Sequence, residues 1–211
     1  MSSDDPLVLG TTNAGKLREL VDLLAPFGIP CCSLAGLEKA VEVEETGHSF
    51  AENAALKATQ QARALDRWVL AEDSGLVVDA LDGAPGIFSA RFSGPGATDA
   101  GNNALLLTRL AARPAAARTA HYACHAALAA PGGAIVARAS GTCHGLIAAA
   151  ASGAGGFGYD PLFIVPEYHR TFGELSPAVK AVISHRARAM RALLPALVRT
   201  LGPRHHPAAG R

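Results

Sequence analysis

Short apolar runs alternate along the chain with stretches of helical spacing, the pattern of a mixed α/β fold. Residues 7–10 predict a strand that passes through a Thr-Thr-Asn turn into a helix over 14–24, stopped by Pro26 and Gly28. A short strand is predicted over 29–34. Ser49 and Glu52 form a capping box that opens a helix to residue 65. Residues 68–71 and 76–80 read as two strands on either side of an acidic turn, and helical spacing returns over 98–112. A long hairpin is predicted over 119–130 and 135–147, turning at Pro131-Gly132-Gly133. A glycine loop at 153–158 precedes a strand at 162–165. Ser176 as N-cap with Pro177 at the first position starts a final helix to residue 201.

With 211 residues the chain can bury a full core in one large domain. No linker divides it, so we expect one two-lobed domain over 1–203 and a disordered tail over 204–211. No apolar run reaches membrane-span length without a charge, and the start lacks a secretory signal pattern, which predicts a cytosolic protein. Net charge near +1 argues against a nucleic-acid polymer as partner and favours a ligand of nucleotide size. The four cysteines form no CxxC pair and read as reduced thiols. His121, Cys124, His125, Cys143 and His144 suggest a metal set, but strand alternation puts His121 and His125 on one face and Cys124 on the other.

The turn after the first strand is the first chemical signal. A strand running into a helix N-terminus leaves free backbone N–H groups and a positive dipole end where an anion can bind. Gly10 and Gly15-Lys16 match part of a P-loop, yet the next residue is Leu17, which has no oxygen for Mg²⁺. A P-loop kinase or NTPase is thereby disfavoured, and the metal must be held elsewhere. Lysine is scarce, four residues against fifteen arginines, and Lys16, Lys57 and Lys180 lie within motif-like segments while Lys39 does not. A lysine ammonium suits phosphate as a point charge.

Glu72 and Asp73, between apolar runs, fit an ordinary Asx turn or a metal-binding and basic site. Asp73 is the candidate for both metal and water activation, and Glu44 with Glu45 can add an oxygen ligand to a hard cation such as Mg²⁺. Asn53 and Lys57 share a helix face. Phe157, between glycines, fits either a stacking platform for a base or a core ring. Lys180 and Ser184 fall four apart, with His185 and Arg186 alongside, whereas Arg18, Arg188, Arg191 and Arg199 read as surface charge.

The blocks GTTNAGK, SFAENAALKA, AEDSGL, PGIFSARFSG, GFGYDPLF and ISHRARA occur in the order found in the Ham1-like family of non-canonical purine nucleoside triphosphate pyrophosphatases, which the chain resembles over residues 7–201. The resemblance implies an elongated mixed sheet with flanking helices in two lobes, a nucleotide cleft between them, and a homodimer. It implies hydrolysis of ITP, dITP and XTP to the monophosphate and pyrophosphate, with Mg²⁺ as cofactor. Thr11, Thr12, Asn13, Ala14, Gly15 and Lys16 would form the phosphate loop, with Lys57 adding a contact. Asp73 would be the general base and a metal ligand, Glu44 a second metal acid, and Ser74 a substrate contact. Phe157 would stack on the base, Gly158, Tyr159 and Asp160 would line its pocket, and Lys180, His185 and Arg186 would close around it. Glu72-Asp73 stands where the family often has Asp-Asp, and Val179-Lys180 where it has Glu-Lys.

Overall fold

A computed structural model describes residues 5–201. The tail expected at 204–211 lies outside them. Seven strands form one mixed sheet in the order β2-β1-β3-β4-β5-β6-β7. β1 (Leu7–Leu9) runs parallel to β2 (Cys31–Ser33) and to the start of β3 (Val69–Val78). β4 (Thr119–Ala129), β5 (Ile135–Ile147), β6 (Phe163–Val165) and β7 (Arg170–Thr171) continue the sheet antiparallel. Around it lie α1 (Ala14–Leu24), α2 (Phe50–Leu65), α3 (Asp99–Leu110), α4 (Pro177–Ile183) and α5 (His185–Leu201). Among the described residues no helix is long and apolar enough to cross a membrane.

Strand alternation assigns the sheet's two faces to different helices. Leu7, Leu9 and Leu70 join Leu20 and Leu24 of α1 and Met190, Leu193 and Leu197 of α5 in one core. Val8, Val69 and Ala71 point the other way, onto Ala54, Ala58 and Ala62 of α2. The alanine stripe lets α2 lie close to the strands. A third core, with Leu76, Tyr122, Phe163 and Phe172 against Leu106 and Leu110 of α3, fills the far end of the sheet.

Two predicted features differ, and one element was not predicted. The acidic turn does not exist: residues 69–78 form one continuous strand, fully paired with β4 from Val69 to Val78. Its carboxylates are tolerated there because cations meet them, which a propensity reading cannot see. The final helix is two helices, because Ser184 is extended (ψ 158°) and its Oγ caps Ala187 N. Ser184 is therefore a hinge residue and not part of a continuous Lys180 face. A 3-10 segment, Gly86–Arg91, was legible only as a motif. It presses on β3 so closely that a Cβ on Gly75 would overlap Ser89 Oγ, which also accepts from Leu76 N at 2.9 Å.

These pairings open the cleft. β1 pairs with β3 only at Val69 and Leu70, and the bridge from Val77 to Pro85 covers that edge again further on. Between them, residues 71–75 of β3 have no strand on that edge among the described residues. The α1 N-terminus and the 3-10 segment flank the gap.

Candidate active site

The gap widens into a cleft of about 530 Å³, within the range of small-molecule sites. At one end Asn13 caps α1, its Oδ1 accepting from Lys16 N at 2.9 Å while its own N–H reaches Thr11 Oγ1 at 3.2 Å. The first-turn amides of Ala14 and Gly15 have no intrahelical acceptor. Thr11, Thr12, Asn13 and Lys16 line the cleft. Gly15 instead supports the opposite loop, where a Cβ would stand 2.6 Å from the Phe157 ring.

Alternation along β3 separates the two acids. Asp73 turns toward α2, where Asn53 Nδ2 donates to Oδ2 at 3.2 Å and Lys57 Nζ to Oδ1 at 3.1 Å. Glu72 turns the other way and is 1% exposed. It receives Arg186 Nη2 at 3.1 Å and faces Lys16 Nζ at 3.4 Å, with the Cys124 thiol beside it. Burial alone would raise the Glu72 carboxyl, but Arg186, Lys16 and Lys57 together hold it well below the usual carboxylate range. Burial likewise disfavours charge on Lys57, and Asp73 and Glu45 overcome it, so the ammonium persists.

At the other end lies the loop carrying Phe157, Gly158, Tyr159 and Asp160, all of which line the cleft. Asp160 Oδ2 accepts from Phe157 N at 2.9 Å and pairs with Lys180 Nζ. Lys180 also meets Glu19 at 2.7 Å, and its ammonium stands 4.8 Å from the centre of the Phe157 ring. His185 stacks on Tyr122 with ring centroids 4.6 Å apart. Burial, then Arg186, pushes its pKa well below the ordinary histidine value. The buried imidazole is therefore neutral, with Nδ1 lacking a protein partner. The unfolded chain takes up a proton near pH 6.5 that the native state refuses, so stability falls as pH drops through that region. In His185→Phe, which can keep the stack, urea midpoints at pH 7.5 and 5.5 should lie closer together than in the parent. An equal separation would remove His185 from the acid response.

The expected residues therefore converge on the cleft, except Ala14 and Gly15, which lie in the turn without lining it, and Glu44. Exposure alternates along residues 42–49, so Glu44 faces out while Glu45 faces in. It is Glu45 that lines the cleft and meets Lys57 at 2.6 Å. Arg18, Arg188, Arg191 and Arg199 are exposed, as read from the sequence. Glu19, Asp99 and Asn103 were missed. Glu19 bridges Lys180 and Arg186, and its spacing of three from Lys16 was the only signal. Asp99 and Asn103, four apart on α3, clasp the Gly158 peptide at both ends, at 2.7 and 3.0 Å.

Comparison with known proteins agrees with this arrangement. Residues 7–196 match the Ham1 family. The dITP/XTP pyrophosphatase of Rhodopirellula baltica is 52% identical over 193 residues, covering 92% of this chain and 93% of that protein. Among solved structures, a HAM1 protein from Coxiella burnetii superposes with a TM-score of 0.82 at 38% identity, over 92% of this chain and 98% of the other. A nucleoside-triphosphatase, dITP/XTP pyrophosphatase, from Mycobacterium abscessus gives a TM-score of 0.72 at 41% identity, over 92% and 100%. With this sheet, this cleft and a match over almost all of its described residues, the chain belongs to the Ham1 family.

Proposed function

We propose that the protein is a nucleoside triphosphate pyrophosphatase that converts ITP, dITP and XTP to the monophosphate and pyrophosphate. The observation that carries this reading is Asp73, fixed by Lys57 and Asn53 in a cleft with a phosphate-type turn at one end and the Phe157 loop at the other. Its close relatives' activity supports it.

The triphosphate lies against the Thr11–Lys16 turn, with Lys16 and Lys57 as its cations. Lys57 and Asn53 fix the Asp73 carboxylate, and each of its oxygens retains a lone pair beyond the bond it already accepts. Asp73 takes a proton from the attacking water, the α–β phosphoanhydride breaks, and pyrophosphate leaves.

Among the described residues no group of three His, Cys, Asp or Glu could cage a metal by itself. The donor set nevertheless fits Mg²⁺, which commonly takes one or two carboxylates with phosphate and water oxygens. Asp73 and Glu45 converge on Lys57 Nζ, a place where a cation is already stable, and Glu44 is one residue away. Asp73 with an acid of this pair would hold the ion, which supplies Lewis-acid polarisation of phosphoryl oxygens.

Phe157 stacks on the base. Four hydrogen bonds from Arg186, to Glu72, Glu19 and Ser74, leave one of its five N–H groups for a 6-oxo acceptor. An adenine amino group would leave that donor unpaired, at a cost of about 1–3 kcal/mol. A homodimer also belongs to this reading, carried by the family resemblance, and sedimentation equilibrium tests it.

Product analysis over ITP, dITP, XTP, ATP and GTP decides the reaction. Pyrophosphate from the first three supports it, whereas orthophosphate or no product sinks it. Lys16→Ala and Lys57→Ala should each weaken triphosphate binding by about 1.5–3 kcal/mol and monophosphate binding much less. Lys39 is exposed and outside the cleft, so Lys39→Ala should change neither. Equal losses in all three, measured by calorimetry, would sink the assignment of Lys16 and Lys57 to phosphate.

A further inference from the structure

Residues 41–47 carry the acids beside the cleft, yet they form neither helix nor strand. Among the described residues their backbone makes one hydrogen bond within the segment, Thr46 N to Glu44 O at 3.1 Å, and none to the backbone of any other element. Side chains hold it instead. Three of them, Asn53, Lys57 and Gln61, recur at four-residue spacing along one face of α2. Gly47 N donates to Asn53 Oδ1 at 2.9 Å, and Lys57 Nζ meets Glu45 at 2.6 Å. Gln61 takes the Val41 residue at both ends: Val41 N donates to Oε1 at 3.2 Å and Nε2 donates to Val41 O at 2.5 Å.

The first two anchors also hold Asp73, so each ties the acid segment and the acid of β3 to one side chain. Gln61 is the third anchor, and both hydrogen bonds of its amide go to Val41 rather than to Asp73. It is 3% exposed. The remaining contact of the segment's acids, Arg91 with Glu45 at 3.3 Å, uses a half-exposed arginine and is weakened by solvent screening. Without Gln61 the segment is free to pivot about its Glu45–Gly47 end.

We infer that Gln61 is a positioning residue of the site: by clasping Val41 it holds the acidic segment in register with Asp73. The role in metal use rests on the function proposed above. The clasp itself does not. A glutamine fits because its amide offers one donor and one acceptor at the reach required, matching the two groups of a single residue.

Two variants test this. Gln61→Leu removes both hydrogen bonds at similar bulk, and Gln61→Glu keeps an acceptor for Val41 N while losing the donor. Hydrogen exchange on the metal-free protein should show protection at Val41, Thr46 and Gly47, the amides of 41–47 that have an acceptor, falling by about tenfold in Gln61→Leu, roughly the worth of one net hydrogen bond, with β1 and β3 unchanged. Gln61→Glu should fall between it and the parent. In Mg²⁺ titrations of pyrophosphate release, half-saturation should rise by a similar factor while kcat at saturating Mg²⁺ recovers. Unchanged exchange at 41–47 in both variants overturns the inference, as does a loss of kcat that no Mg²⁺ concentration restores. If the parent itself needs no divalent ion, the metal reading of the proposed function fails, and the exchange result still decides the clasp.

Discussion

Asp73→Asn is expected to lower kcat by about two to four orders of magnitude, the span associated with loss of a positioned general base. The substitution keeps the shape and the oxygen that accepts from Lys57 or Asn53, so the strand and its neighbours should hold. What it removes is the charge and the basicity. Asp73 is 5% exposed and fixed by two donors from α2, which makes its orientation part of the folded scaffold rather than something the substrate must induce. Nucleotide affinity should change far less than turnover, because Lys16 and the Asn13-capped turn remain. Single-turnover assays with binding measured separately make the comparison. Near-normal turnover would take Asp73 out of the chemistry.

Arg186→Met should be the most destabilising single change in the cleft, by about 3–5 kcal/mol, the cost of stranding one member of a buried ion pair. Arg186 is 1% exposed and meets Glu72, itself buried, and Glu19. Methionine fills much of the space but leaves Glu72 with Lys16 alone at 3.4 Å. The Glu72 carboxyl is depressed in the native state, so its contribution is present above the unfolded carboxyl pKa of about 4.3 and is lost as pH falls below it. The deficit of Arg186→Met in urea unfolding should therefore shrink in acid. Adding Glu72→Gln to Arg186→Met should restore part of the stability at neutral pH, since the fully buried carboxylate that lost its guanidinium is then removed. An unchanged unfolding midpoint in Arg186→Met would show that the buried network contributes nothing. Among folded survivors, the ratio of ITP to ATP turnover should narrow, because the remaining N–H of Arg186 is the donor assigned to the 6-oxo group.

Local physics determined a good deal from the sequence. The Asn13 turn, the Ser49 capping box and the Gly132-Gly133 hairpin turn depend on neighbours within a few residues, and each forms where its residues predict. The same holds for the phosphate-type turn, whose N–H groups follow from a strand meeting a helix. Family membership was legible too, because six ordered blocks constrain the answer more than any one of them.

Only the tertiary structure decided the fate of the charges. Residues 72–74 looked like a turn because isolated carboxylates do not belong in a buried strand. They stay in the strand because Arg186 and Lys16, from α5 and α1, and Lys57 from α2 arrive on opposite faces of it. No window of sequence contains that pairing: Arg186 is 114 residues from Glu72. The same reason separates Glu45 from Glu44, which differ only in which way an extended segment turns them, and turns Glu19 and Gln61 from unremarkable helix positions into contacts of the site. A cap is fixed by local backbone geometry, whereas a buried charge is fixed by whatever the fold brings to meet it.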